Sequence, residues 1–168
     1  MKTALKLVST ILILATLAGC ATTSSPAGAQ PERTRAVIHA SKDKVWPLLV
    51  SEVGLNYPVA AIEKESGLIT TAFVSIPVGP DNMYMNRYVI VRPIFLATWN
   101  GLRGKLSVLA VETAPGQTQV TITAHYEAYE SNVLKTTLVM PTNGVVENRI
   151  LSSIEQKLGI STATTAQL

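Results

Sequence analysis

The chain has 168 residues, of which 47% are hydrophobic and 15% charged, with 14 Lys and Arg against 11 Asp and Glu, two His and one Cys. This composition excludes a disordered chain and a disulfide framework, and at this length one core already buries about two thirds of the unfolded surface, so no second large domain is expected. The formal charge of +3 includes Lys2 and Lys6 at the extreme N-terminus and gives no general electrostatic reason to bind nucleic acid.

Met1–Lys6 is basic, Leu7–Gly19 is apolar and Cys20 follows, which is the layout of a secretory signal. The 13-residue apolar run is shorter than the roughly 20 residues a spanning helix needs, so residues 1–19 are expected to be removed. At its end Leu17-Ala18-Gly19-Cys20 resembles the lipobox of bacterial lipoproteins, in which small residues fit the peptidase pocket and the thiol accepts diacylglycerol. The resemblance implies lipid on Cys20 and a membrane as the first partner, since two or three acyl chains at about 0.8 kcal/mol per buried methylene anchor a domain lastingly. In enterobacterial lipoproteins an Asp directly after the cysteine favours inner-membrane retention. Ala21 at that position implies the outer membrane, with the domain facing the periplasm. Ala21–Arg33, ATTSSPAGAQPER, has no apolar period and predicts a flexible tether with a reach of about 20 Å. Residues 20–33 are thus read as lipidated cysteine and tether.

From Thr34 the pattern becomes regular. Thr34–Ala40 alternates Ala36, Ile38 and Ala40 with Arg35, Val37 and His39 and predicts a strand. Ser41 or Asp43 offers an N-cap for a short helix with Val45, Leu48, Leu49 and Val53 at helical spacing and Gly54 as its stop. With Asp43 as cap, Pro47 falls near the first turn, where a proline costs little. Tyr57–Glu63 and Leu68–Val74 predict a hairpin around Lys64–Gly67. Ile76–Gly104 is irregular, and a strand is predicted there only over Tyr84–Val91.

Lys105–Thr113 and Thr118–Tyr126, joined by Ala114-Pro115-Gly116-Gln117, form the clearest predicted hairpin. Val120, Ile122, Ala124 and Tyr126 lie on one of its faces, and Thr121, Thr123, His125 and Glu127 on the other, as in a sheet with one buried side. A closing helix is predicted over about Gly144–Leu158, with Val146, Ile150, Ile154 and Leu158 on one stripe. Residues 161–168 form a tail without a core signal. The expected class is α+β: one domain over 34–160, in the order β-α-β-β-β-β-β-α, with both helices on one face of an antiparallel sheet. Trp46, beside the apolar stripe of the first helix, is expected to be buried.

Ser41–Thr71, SKDKVWPLLVSEVGLNYPVAAIEKESGLITT, carries a Val-Trp pair in a helix, a glycine-containing break, a strand with apolar alternation and an acidic turn closing on Gly-Leu-Ile. In this it resembles the helix-grip lipoprotein family of the outer-membrane β-barrel assembly machinery. The resemblance implies a helix-grip-like fold, a periplasm-facing position and a protein-binding role with an envelope protein as partner. It assigns no functional residue. That family has two such domains behind a long extended N-terminal segment, whereas one domain and a short tether are predicted here.

Chemistry is sparse. His39 and His125 both fall on predicted polar strand faces, but no Cys, Asp or Glu stands at a ligand spacing from either, so no metal is expected. Gly-x-Ser-x-Gly is absent, and Glu63 and Glu65 flank Lys64 in what reads as a solvated turn. Gly101-Leu102-Arg103-Gly104 lacks the strand-loop-helix context of a phosphate cradle and reads as a turn. Neither a cofactor nor an enzymatic activity is expected. The expected role is a non-catalytic binding or accessory module in cell-envelope assembly, and the alternative is a structural or lipid-contacting lipoprotein. Met83, Met85, Ile94, Phe95, Leu96 and Trp99 lie among prolines and form either a second small core or an exposed patch. As a patch, Met85, Phe95, Trp99 and Arg103 are the candidate partner-binding residues, and Arg87, Arg92 and Arg103 add charge for phosphorylated sugars or an acidic partner.

Overall fold

The computed structural model describes residues 32–79, 84–91 and 96–160. Its elements are β1 (Arg35–Ile38), α1 (Lys42–Asn56), β2 (Val59–Glu63), β3 (Leu68–Thr71), β4 (Val74–Ile76), β5 (Trp99–Ala114), β6 (Gln117–Glu130), β7 (Thr136–Met140) and α2 (Val145–Lys157). The expected signal segment, Cys20, most of the tether, Met83, Arg92, Phe95 and the 161–168 tail lie outside the described residues.

The two long strands organise the sheet. β5 and β6 pair antiparallel along nearly their whole length and close through Pro115-Gly116, where Gly116 takes the positive φ of 74° that the turn needs. The expected hairpin is therefore present but longer at both ends. β1 and β7 lie end to end along the outer side of β6, β3 and β4 lie end to end along β5, and β2 pairs outside β3. All seven strands pair antiparallel, and both helices contribute to one apolar core on one face, as the α+β reading expects. Trp46 is buried there with Val45, Leu49 and Val53 of α1, Ile150, Leu151 and Ile154 of α2, and the inward residues Leu106, Val108, Val120 and Ile122.

Several local expectations are corrected. Ser41, not Asp43, is the N-cap of α1, its carbonyl accepting from Lys44 and Val45, so Pro47 lies beyond the first turn and costs one hydrogen bond to the Asp43 carbonyl without ending the helix. Gly54 is no stop either. The helix continues to Asn56 and ends where the Tyr57 N–H donates to Val53 at 2.8 Å. The strand expected over Tyr84–Val91 is instead a 3-10 turn at Met85–Arg87 followed by a single bridge between Val89 and Thr142. Strand alternation would bury Arg87 along with Met85 and Val89. The helical turn buries the two apolar residues and leaves the Arg87 guanidinium over the Tyr84 ring at 4.5 Å.

β7 has no counterpart among the predicted strands, because its residue types do not alternate: Leu138 and Met140 face the second cluster, but Val139 between them is apolar too and lies 67% exposed. Gly101-Leu102-Arg103-Gly104 is part of β5, with a register shift between Trp99 and Leu102 at the positive-φ Gly101.

Met85 and Trp99, 0% and 7% exposed, belong to a second apolar cluster with Val89, Leu102, Tyr126, Ala128 and Met140 at the far end of the β5–β6 pair. Trp99→Ala is expected to lower the unfolding free energy by about 3 to 5 kcal/mol, read as a shift of the urea midpoint.

The end of β6 is held by one carboxylate. Buried Glu130 accepts backbone N–H bonds from Thr98 (3.0 Å), Asn132 (2.8 Å), Val133 (2.9 Å) and Leu134, closing the loop before β7 onto the start of β5. Burial by itself raises the carboxyl pKa, but these donors outweigh it and bring it from 4.5 down to about 2. A depressed folded-state pKa contributes stability above the ordinary carboxyl value that is lost as pH falls from about 4.5 toward 2. Glu130→Gln should lower stability at neutral pH and flatten its fall across that window. Urea midpoints measured from pH 7 down to about 2 check this, and parallel curves for the two proteins would refute it.

Candidate functional site

A cavity of about 330 Å³ opens where the end of α1, the start of α2 and the β4–β5–β6 part of the sheet meet. Its position follows from the fold. β3 stops at Thr71, whose hydroxyl accepts the Leu106 N–H at 2.8 Å, and the chain steps through Ala72 and Phe73 before β4 resumes pairing with β5. α1 ends at Asn56, so beyond Leu106 the sheet extends past the cover of that helix. Tyr57, Tyr88 and Tyr126 line the space between, with Val74, Ile76 and Leu106 as apolar wall.

Tyr126 forms the floor because of what stands opposite it. Gly104 is its cross-strand partner, and a Cβ there would lie 2.6 Å from two carbons of the Tyr126 ring. The ring therefore occupies the space that any side chain at 104 would fill, tilted against Tyr88 at a centroid distance of 6.2 Å. Gly104→Ala is expected to displace this ring at a cost of about 1 to 3 kcal/mol, detected as a lower urea midpoint together with altered tyrosine near-ultraviolet dichroism.

The electrostatics of the cavity come from α2. Arg149 at the rim donates to the Tyr57 hydroxyl at 3.2 Å and pairs with no carboxylate among the described residues. Glu147, two residues earlier, is fully buried, and neither carboxylate oxygen has a partner among the described residues. Burial raises the Tyr126 pKa well above the phenol range, with the nearby Glu147 charge acting in the same direction. Burial also raises that of Tyr57, against the pull of Arg149. Both hydroxyls therefore stay protonated at neutral pH.

A second group lies on the uncovered face of the sheet. The Arg103 guanidinium stacks on Phe73 at 4.7 Å with the Lys105 ammonium at 5.0 Å from the same ring, and His125 meets its edge at 5.9 Å. Glu127 accepts from Arg103 Nε at 2.8 Å and lies 3.0 Å from His125 Nε2. Hydrogen bonds from His125 and then Arg103 hold its carboxyl below the usual range. Arg103 is thus a surface residue engaged within the sheet, while Met85 and Trp99 are interior and Phe95 lies outside the described residues.

The two histidines do not meet. Ile38 sits opposite Thr118, so His39 is at the hairpin end of β6, level with Gln117, and His125 is about 26 Å further along it. No three His, Cys, Asp or Glu side chains converge among the described residues. Glu63 and Glu65 lie at the exposed turn, where Glu63 accepts from Ser66 at 2.6 Å and Lys64 pairs with Asp43 at 3.1 Å.

Sequence reasoning missed Tyr57, Tyr88 and Arg149, which come from three separate segments and share no motif. The one available signal was Gly104, a glycine in a strand, which often marks close approach of another group. No family model and no curated protein matches the chain.

Proposed function

We propose that the protein is a lipid-anchored envelope protein at the periplasmic face of the outer membrane, whose domain serves as a non-catalytic binding or accessory module in envelope assembly. The observation that carries this reading is Leu17-Ala18-Gly19-Cys20 at the end of a signal-like apolar run, in a chain with no other cysteine. No helix among the described residues is long and apolar enough to cross a membrane, so in this reading the Cys20 lipid supplies the attachment.

The start of the domain supports the same arrangement. Arg33 forms a two-point pair with Glu155 at 2.9 and 2.8 Å, Glu32 accepts from Asn148 at 2.6 Å, and the Glu32 N–H donates to Asn143 at 2.8 Å. These bonds fasten the chain to α2 and the turn before it, where a tether would join, so a pull on the anchor would be borne by a helix docked on the core. The helix-grip-like order of elements supports the accessory role by its resemblance to the lipoprotein family of the assembly machinery.

Membrane fractionation of Cys20→Ala tests the anchor. The wild type is expected in the membrane fraction with an acyl mass on its N-terminal peptide, and the variant in the soluble fraction. A variant as membrane-bound as the wild type, with no acyl mass on either, would reject the reading.

A further inference from the structure

The cavity between α1, α2 and β4–β6 is not used by an anchoring role, and its chemistry is asymmetric. One side is apolar and aromatic: Tyr88, Tyr126, Ile76 and Leu106 around the bare backbone of Gly104. The other side is rich in donors. Arg149 spends one of its five N–H donors on a neutral phenol, and among the described residues no carboxylate lies within ion-pair distance of it. The Tyr57 hydroxyl stands beside it. Glu147 does not line the cavity, though its charge reaches the Tyr57 and Tyr126 hydroxyls. Glu52 feels the Arg149 charge but is bonded to Ser153 and Lys157, so among the described residues no carboxylate oxygen takes up the remaining Arg149 donors. A volume of about 330 Å³ lies at the small end of ligand sites and suits a body of about one ring rather than an acyl chain.

We infer that this cavity is a binding site for a small organic acid, a carboxylate or phosphate monoester with a compact apolar body. The acid group would be held by Arg149 and the Tyr57 hydroxyl, and the body packed on Tyr88 and Tyr126. An arginine presents a planar fork of donors matched to either acid, and its charge-assisted bonds are about twice as strong as neutral ones. The site extends the binding role but does not depend on Cys20, so a soluble Cys20→Ala protein and a failed ligand titration are separate outcomes.

The test is a titration of the full-length protein in non-ionic detergent with benzoate, phenyl phosphate and benzyl alcohol. It is followed at the backbone amide of Gly104 in the cavity, with that of Gly116 in the distant turn as control. Benzoate or phenyl phosphate is expected to shift Gly104 saturably and leave Gly116 unmoved, and benzyl alcohol to bind at least about tenfold more weakly. The tighter of the two anions identifies the acid group. Arg149→Gln, at an exposed position away from the core, should weaken the anions at least about tenfold, leave benzyl alcohol unchanged and leave the rest of the spectrum in place. No saturable shift at Gly104 with either anion, equal binding of the alcohol, or anion binding indifferent to Arg149→Gln would each overturn the assignment.

Discussion

The register of one hairpin governs the molecule. Counted back from the closing pair Ala114–Gln117, an uninterrupted β5–β6 ladder would set Lys105 opposite Tyr126. The shift between Glu112 and Ala114 moves the pairing by one residue, so that Gly104 faces Tyr126 and Lys105 faces His125. Because side chains alternate along a strand, that single step decides which residues of β5 enter the core. Leu106, Val108 and Ala110 turn toward the helices, while Lys105 joins Arg103 and Phe73 on the uncovered face. The tyrosine ring can then lie across a glycine, and the cavity floor follows from that contact.

Carboxylates do most of the remaining fastening, each with a different set of donors. Glu130 collects backbone amides, Glu155 receives Arg33, and Glu52 joins α1 to α2 through Ser153 and Lys157. Burial works to raise the Glu52 pKa, but Lys157 and Ser153 hold it below the ordinary carboxylate value. Glu147 is the exception. It sits in the same interior with no donor among the described residues, close enough to Tyr57 and Tyr126 for its charge to be felt by both hydroxyls. A fully buried group of this kind is rare in folded proteins, and its neighbours are the walls of the cavity.

Where burial follows a simple period, the fold was legible in the sequence. The stripe Val146, Ile150 and Ile154 placed α2, the alternation from Thr118 to Tyr126 placed β6, and Trp46 lies in the core as its neighbours required. Legibility failed where tertiary contacts override the local pattern. Met85 and Val89 are buried by a helical turn although the segment reads as a strand, and Gly101 and Gly104 read as a turn although a bulge and a stacked ring explain them. The cavity residues were illegible for a different reason. Tyr57, Tyr88, Tyr126 and Arg149 are brought together by the meeting of α1, α2 and the sheet, and nothing in their spacing announces it.

Because the shifted register carries the core, the uncovered face and the cavity together, inter-strand nuclear Overhauser contacts across β5 and β6 are the most direct test of it. Cross-peaks are expected between the Gly104 α-protons and the Tyr126 ring, with Lys105 paired to His125. Contacts that pair Lys105 with Tyr126 instead would contradict the shifted register, since they would place a lysine where the structure has the floor of the cavity.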